Sequence, residues 1–91
     1  MMLVLFRTQG TDWDRFQKTL DSQRSRIESM GCRRIEAYRN RKHPEEWVML
    51  QEWPDKPTFD AFAKETGPVL DKEGGVRWTD VSTWVAGGTA P

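Results

Sequence analysis

Apolar positions along this chain change their period several times, and each change marks an element. Met2–Thr8 (Met-Leu-Val-Leu-Phe-Arg-Thr) is almost continuously apolar, the pattern of a strand covered on both faces. Gly10 interrupts it. Thr11 followed three residues later by Asp14 resembles a capping box, and the acids at 12 and 14 suit the positive end of a helix dipole. Trp13, Phe16, Leu20, Ile27 and Met30 then hold one helical face as far as Gly31, a natural residue just past a helix end. The stripe has a gap at Gln23 and Arg24. Either it has reached the domain rim, where long side chains snorkel, or a polar group is aimed into a cavity beneath the helix. Cys32–Asn40 alternates, with Ile35 and Ala37 on one face and Arg34, Glu36, Tyr38 and Asn40 on the other. Such a polar face suits an interface or a ligand wall. Asn40-Arg41-Lys42-His43-Pro44-Glu45-Glu46 has the chemistry of a turn.

Trp47–Trp53 (Trp-Val-Met-Leu-Gln-Glu-Trp) returns to strand residues, with Glu52 its one charge. It pairs with the preceding strand as an antiparallel hairpin. Pro54 cannot donate to a sheet ladder and biases Trp53 toward extended backbone, so the strand ends there. Asp55 stands where a helix N-cap belongs, Pro57 in the first turn, and Phe59, Phe62 and Ala63 follow at helical spacing. This helix runs from about Lys56 to Thr66, where Gly67-Pro68 ends it. Val69-Leu70 can form one further turn, and Asp71–Gly75 reads as a flexible hinge. Arg77–Val85 is a last strand, with Trp78, Ser82 and Trp84 on one face and Val81, Thr83 and Val85 on the other. Gly87–Pro91 is a short tail. The order predicts an α+β, ferredoxin-like β-α-β-β-α-β fold: a four-stranded antiparallel sheet with two helices on one face. Its strands are bulky on both sides, with Trp47, Met49 and Trp53 set against Val48 and Leu50 on the third alone. An exposed sheet face that apolar is an aggregation hazard or an interface. A homodimer through the bare sheet face is therefore expected.

Length and charge narrow the function. Ninety-one residues make one domain, 1–91 with a core of about 2–86. Fourteen basic residues balance fourteen acidic ones, so no overall field calls for nucleic acid or an anionic membrane. The basic run Arg33-Arg34 to Arg39-Asn40-Arg41-Lys42 is of a kind that contacts phosphates. Glu36, Glu45 and Glu46 interleave it, so it reads as a solvated face. Cys32 is the sole cysteine, which excludes an intrachain disulfide and leaves neither a CxxC pair nor a zinc ligand set. No metal is expected. Met1–Phe6 is too short for a membrane span and lacks the basic start of a signal peptide, so a cytoplasmic location is expected. Five Trp and four Phe are many for the length. Such rings fill cores, and they also wall pockets and interfaces.

The run Leu50-Gln-Glu-Trp53-Pro-Asp-Lys-Pro-Thr-Phe59-Asp-Ala-Phe62 resembles the strand-end Trp and helix opening of the antibiotic-biosynthesis-monooxygenase-like domain. That domain belongs to the dimeric α/β-barrel superfamily, and the element order agrees over residues 2–86. The resemblance implies a dimer through the sheets and a cavity in each protomer between sheet and helices. Some members are oxygenases without a cofactor that act on polycyclic phenols, oxidising an activated substrate carbanion directly with O₂. Others degrade haem, combining an Asn on the first strand, a Trp at the end of the third and a His on the second helix. Trp53 matches that Trp, but Met2–Thr8 holds no Asn and Lys56–Leu70 no His. An axial imidazole is thus missing from its expected place, and the resemblance implies no cofactor.

Chemistry of the cofactor-free kind needs a base to deprotonate the phenol and donors to hold the oxyanion. Tyr38, Asn40 and Gln51 are candidate hydrogen-bonding groups, and His43 is the one side chain with an ordinary pKa near neutrality. A His between Lys and Pro in a turn is equally an ordinary solvated residue. Trp53, Tyr38, Asn40 and His43 are the catalytic candidates. Trp53, Phe59, Phe62 and Trp78, with Tyr38 and Gln51, are candidates for the wall of a pocket for an aromatic ligand. The same rings fill a core equally well. Two functions remain open: a cofactor-independent monooxygenase, an oxidoreductase acting on a small aromatic or quinol-type metabolite, and a non-catalytic dimeric module for ligand binding or stress response.

Overall fold

The computed structural model describes residues 1–86 apart from the side chain of Trp78. The tail expected over 87–91 lies outside the described residues. The order is β1 (Met2–Gly10), α1 (Trp13–Ser29), β2 (Arg34–Arg39), β3 (Glu46–Trp53), α2 (Lys56–Glu65), α3 (Gly67–Glu73) and β4 (Val76–Val85). The strands form one antiparallel sheet in the order β2-β3-β1-β4. The expected α+β, ferredoxin-like arrangement is observed.

Register decides which residues share a face. Val4 stands opposite Gln51, Phe6 opposite Met49 and Thr8 opposite Trp47, while Ala37 faces Met49 across the β2–β3 pair. These positions, with Met2, Ile35 and Trp53, form the face that packs on Phe16, Leu20 and Ile27 of α1, Phe59 and Phe62 of α2, and Leu70 of α3. The other face carries Leu3, Leu5, Val48, Leu50, Tyr38 and Trp84. Among the described residues this face stays largely uncovered: Trp84 is 57% exposed and Tyr38 52%.

Two close approaches explain two glycines. β1 ends at Gly10, where the register with β4 shifts, and a Cβ there would lie 2.3 Å from the Trp47 ring, so only glycine fits beside the indole. Trp47 is held between Phe16 and Trp13, at centroid distances of 4.9 and 5.5 Å. Gly31 follows the last turn of α1 with φ 118°, a left-handed position suited to glycine after a helix.

The start of α1 differs from expectation. Asp12, not Thr11, is the cap, its Oδ1 accepting from the Arg15 N–H at 3.0 Å. Aspartate caps at least as well as threonine and adds its charge at the dipole's positive end. The gap in the α1 stripe belongs to the rim: Arg24 is half-buried and its Nη1 donates to the Ile35 carbonyl at 3.1 Å. Cys32 is buried, and burial pushes its thiol up, away from the reactive thiolate.

Asp55 caps α2 as expected. Its Oδ1 accepts from the Thr58 N–H at 2.9 Å and from Thr58 Oγ1 at 2.6 Å. Both bonds, the hydroxyl's first, hold the Asp55 carboxyl below its ordinary range. A carboxyl lowered on folding stabilises the fold fully above its unfolded pKa of about 3.9 and loses that effect as pH falls through the lower folded value. Asp55→Asn keeps an accepting oxygen but not the titration. The stability advantage of wild type over Asp55→Asn is therefore expected to shrink on acidification below pH ~4, as read by thermal melts across that range.

The hinge expected over Asp71–Gly75 is instead mostly helix, since α3 runs to Glu73. Pro68 explains it: the residue that cannot continue α2 sits in the first turn of α3, where its missing N–H costs nothing. Arg15 of α1 reaches the end of α3, its Nε donating to the Glu73 carbonyl at 2.6 Å and its Nη2 to the Lys72 carbonyl at 3.2 Å. A cation suits a helix C-terminus. Arg15→Ala is expected to cost about 1 kcal/mol and to speed amide hydrogen exchange at Leu70–Gly74, with α2 little changed.

Candidate functional site

Between the sheet and the pair α2–α3 lies a cavity of about 330 Å³. Phe6, Met49 and Val81 contribute from the strands, Phe59 and Phe62 from α2, and Leu70 from α3. Helical spacing places Phe59 and Phe62 on the same face of α2, aimed at the sheet. Phe59 stands edge-on to Phe6, with centroids 6.1 Å apart at 60°, and 6.0 Å from Phe62. The volume lies at the small end of the ~300–1,000 Å³ typical of ligand sites.

Trp53 stands behind this wall. It is fully buried, its ring centroid 5.1 Å from Phe62 and 5.9 Å from Phe59. Its Nε1–H donates to Gln51 Oε1 at 2.7 Å, and Gln51 is itself fully buried. Gln51 Nε2 in turn meets Met49 Sδ at 3.7 Å. A polar pair thus satisfied inside an apolar core fixes the geometry around it. Trp53 and Gln51 set the α2 rings and the Met49 wall without lining the cavity themselves.

Polar groups in the cavity are few. Thr8 and Thr79 line it and stand directly opposite each other across β1 and β4. The Thr79 Oγ1 is buried without a hydrogen-bond partner. Asp71 lines the cavity yet remains exposed, which puts it at the mouth. Partial burial pushes its carboxyl above the ordinary aspartate value.

A second hollow, of about 380 Å³, lies on the open side of the sheet, bordered by Arg7, Gln9, Tyr38, Asn40, Glu46 and Val48. Beside it the Tyr38 hydroxyl donates to the Glu36 carboxylate, which also takes a fork from Arg34 Nε and Nη2, each at 3.0 Å. Arg34 Nη1 reaches Glu52 at 3.4 Å. The Arg34 bonds, then that of Tyr38, hold the Glu36 carboxyl below its ordinary value. The bond to Glu36 pushes the Tyr38 phenol up, so it stays protonated. Asn40 is occupied in the turn, its Oδ1 accepting from the backbone N–H groups of Lys42 at 2.8 Å and His43 at 2.9 Å.

The structure brings Trp53, Gln51, Phe59 and Phe62 together, the two phenylalanines on the cavity and the other two behind it. Tyr38 and Asn40 lie on the open face of the sheet, and His43 is exposed in the β2–β3 turn. The Trp78 side chain lies outside the described residues. Phe6, Met49, Thr8, Thr79 and Asp71 enter the site without having been singled out by sequence. Of the two hollows the one under α2–α3 is the better chemical site, because its lining is mostly aromatic and aliphatic while the other is bordered largely by polar and charged side chains. Among the described residues, no group of three or more His, Cys, Asp or Glu side chains is placed to hold a metal ion. No described helix is long and apolar enough to cross a membrane.

The order of strands and helices is that of a known family of proteins. The profile of the antibiotic biosynthesis monooxygenase family covers residues 1–67, and the chain belongs to that family. Solved structures agree in fold. SnoaB, a cofactor-independent oxygenase from Streptomyces nogalater, superposes at a TM-score of 0.77 with 16% identity, over 99% of this chain and 96% of that one. An antibiotic biosynthesis monooxygenase homologue from Bordetella bronchiseptica gives 0.79 with 11% identity, over 92% and 94%. A conserved protein from Methanosarcina mazei Go1 gives 0.62 with 24% identity, over 91% and 89%. No curated protein matches the chain in sequence.

Proposed function

We propose that the protein is a cofactor-independent monooxygenase acting on a small aromatic or quinol-type metabolite held between the sheet and α2–α3. The observation that carries the reading is the cavity walled by Phe6, Phe59 and Phe62 in a chain of this family. The likeness of fold to SnoaB supports it. Rings at these spacings stack on a flat substrate and hold its reacting carbon in one orientation. Loss of a phenolic proton raises electron density on the ring, and the resulting carbanion reduces O₂. A C–O bond forms, one oxygen stays in the product as a carbonyl, and the other leaves as water: a CH₂ group plus O₂ gives C=O plus H₂O. In the same reading two copies pair through the open sheet face, and Leu3, Leu5, Val48 and Leu50 supply the apolar centre.

The test is oxygen uptake on a panel of anthrones and dihydroxynaphthalenes. Wild type is expected to consume O₂ with at least one of them. Phe62→Trp, which fills the cavity, is expected to lower the rate at least about tenfold with an unchanged far-UV circular dichroism spectrum. No uptake across the panel contradicts catalysis. A non-catalytic binding module is the second reading, favoured by the placement of Tyr38, Asn40 and His43 away from the cavity. It predicts tight binding of a panel member with no oxygen consumed.

A further inference from the structure

We infer that α3 is a gate over the cavity and that Arg15 of α1 is its latch, so that ligand exchange waits on release of the latch. The inference rests on the proposed cavity and says how it is reached. Gly67, Pro68, Leu70 and Asp71 of α3 all line the cavity, so this helix is part of its wall. The other walls are held more firmly. β4 is paired with β1 over its whole length, and a strand leaves a sheet only by giving up its ladder. Phe59 and Phe62 fix α2, both buried against Trp53. By contrast α3 has seven residues and buries one side chain, Leu70. A helix that short does not hold itself together.

Both ends of α3 are breaks in the backbone ladder. Pro68 has no N–H with which to carry the bonds of α2 across Thr66 and Gly67. At the far end Gly74 lies so close to Phe16 that a Cβ would come within 3.1 Å of the ring, and Gly75 has φ 71°. A glycine pair there lets the chain pivot. Between these pivots the last turn of α3 is tied down from outside. The Lys72 and Glu73 carbonyls, which have no partner within a helix this close to its end, accept from the Arg15 guanidinium. Arg15 is exposed, so water takes over those carbonyls whenever the guanidinium swings away. A segment with so few buried contacts opens far more often than the whole domain unfolds. Its opening carries Pro68 and Leu70 off the cavity and leaves Phe59, Phe62 and the sheet in place.

Stopped-flow fluorescence with naphthalene as the probe tests this on the full chain, with Phe62→Trp, which fills the cavity, as the blank. Arg15→Ala is expected to speed both association and dissociation about fivefold. The dissociation constant should stay within about twofold, because the latch sets how often the cavity opens and touches no ligand. Arg15→Lys keeps the charge but lacks the planar fork that spans two carbonyls. It should lie between, at least about twofold faster than wild type, and it carries the test alone if Arg15→Ala does not fold. Arg24→Ala removes a comparable bond from the same helix, to the Ile35 carbonyl and away from α3, and is expected to leave both rates at the wild-type values. Naphthalene that binds wild type with rates untouched by either Arg15 variant overturns the gate and leaves the cavity standing. Equal acceleration in Arg24→Ala means general loosening of the fold, and overturns it too. Naphthalene that binds wild type and Phe62→Trp alike, or binds neither, contradicts the cavity itself.

Discussion

Trp53→Ala is expected to remove ~3–5 kcal/mol of stability, the usual cost of truncating a buried indole to a methyl. The side chain is fully buried against Phe59 and Phe62, so the lost contacts are not replaced by water. Removing the Nε1–H also strands Gln51 Oε1 in the core, with a penalty of about 1–3 kcal/mol that overlaps the first. A domain of this size has only about 5–15 kcal/mol to lose, so the variant should be close to unfolded at working temperature. Trp53→Phe keeps the ring volume in part but still orphans Gln51, and should fall between. Trp53→Phe with Gln51→Leu removes both partners of the bond, and is expected to recover part of the loss. Urea denaturation of the four proteins decides it. A cost below about 1 kcal/mol for Trp53→Ala would mean that the indole is not part of the core.

Leu5→Arg is expected to raise the dimer dissociation constant at least about a hundredfold while leaving the protomer folded. Leu5 faces Leu50 on β3 and Ser82 on β4, on the side of the sheet away from the helices. An isologous pairing brings the same patch from both copies together, so one substitution places two like charges at its centre. Trp84 and Tyr38, both more than half exposed in the single chain, border the same face. Wild type should sediment as a dimer at micromolar concentration, and Leu5→Arg as a 10.6 kDa particle. A wild type that stays monomeric would leave the apolar face without its proposed cover.

Much of the fold was legible because single residues carried unambiguous local physics. Period-two and period-3.6 patterns placed four strands and two helices, Asp55 and Pro57 opened α2, and Gly31 closed α1. What failed locally were signals with two readings. Pro68 ends one helix and begins another by the same property, and only the packing of Leu70 on the core selects the second. Asp12 and Thr11 are both good caps. The site was harder because it depends on register between distant strands. Alternation shows that Tyr38 and Asn40 share a face, but only the pairing of Tyr38 with Val48 and of Ala37 with Met49 shows that it is the face away from the helices. The Thr8–Thr79 pair joins residues 71 positions apart in sequence and has no local trace. Gln51 did leave one: a lone amide in an apolar strand, two residues before a Trp, stands on the same face as the indole and within reach of its N–H.

The central claim is that ligand enters between the sheet and α2–α3. A crystal structure of the protein soaked with a dihydroxynaphthalene tests it most directly. Flat density stacked among Phe6, Phe59 and Phe62 is the predicted result. Density confined to the hollow beside Tyr38 and Asn40, with the inner cavity empty, would contradict it.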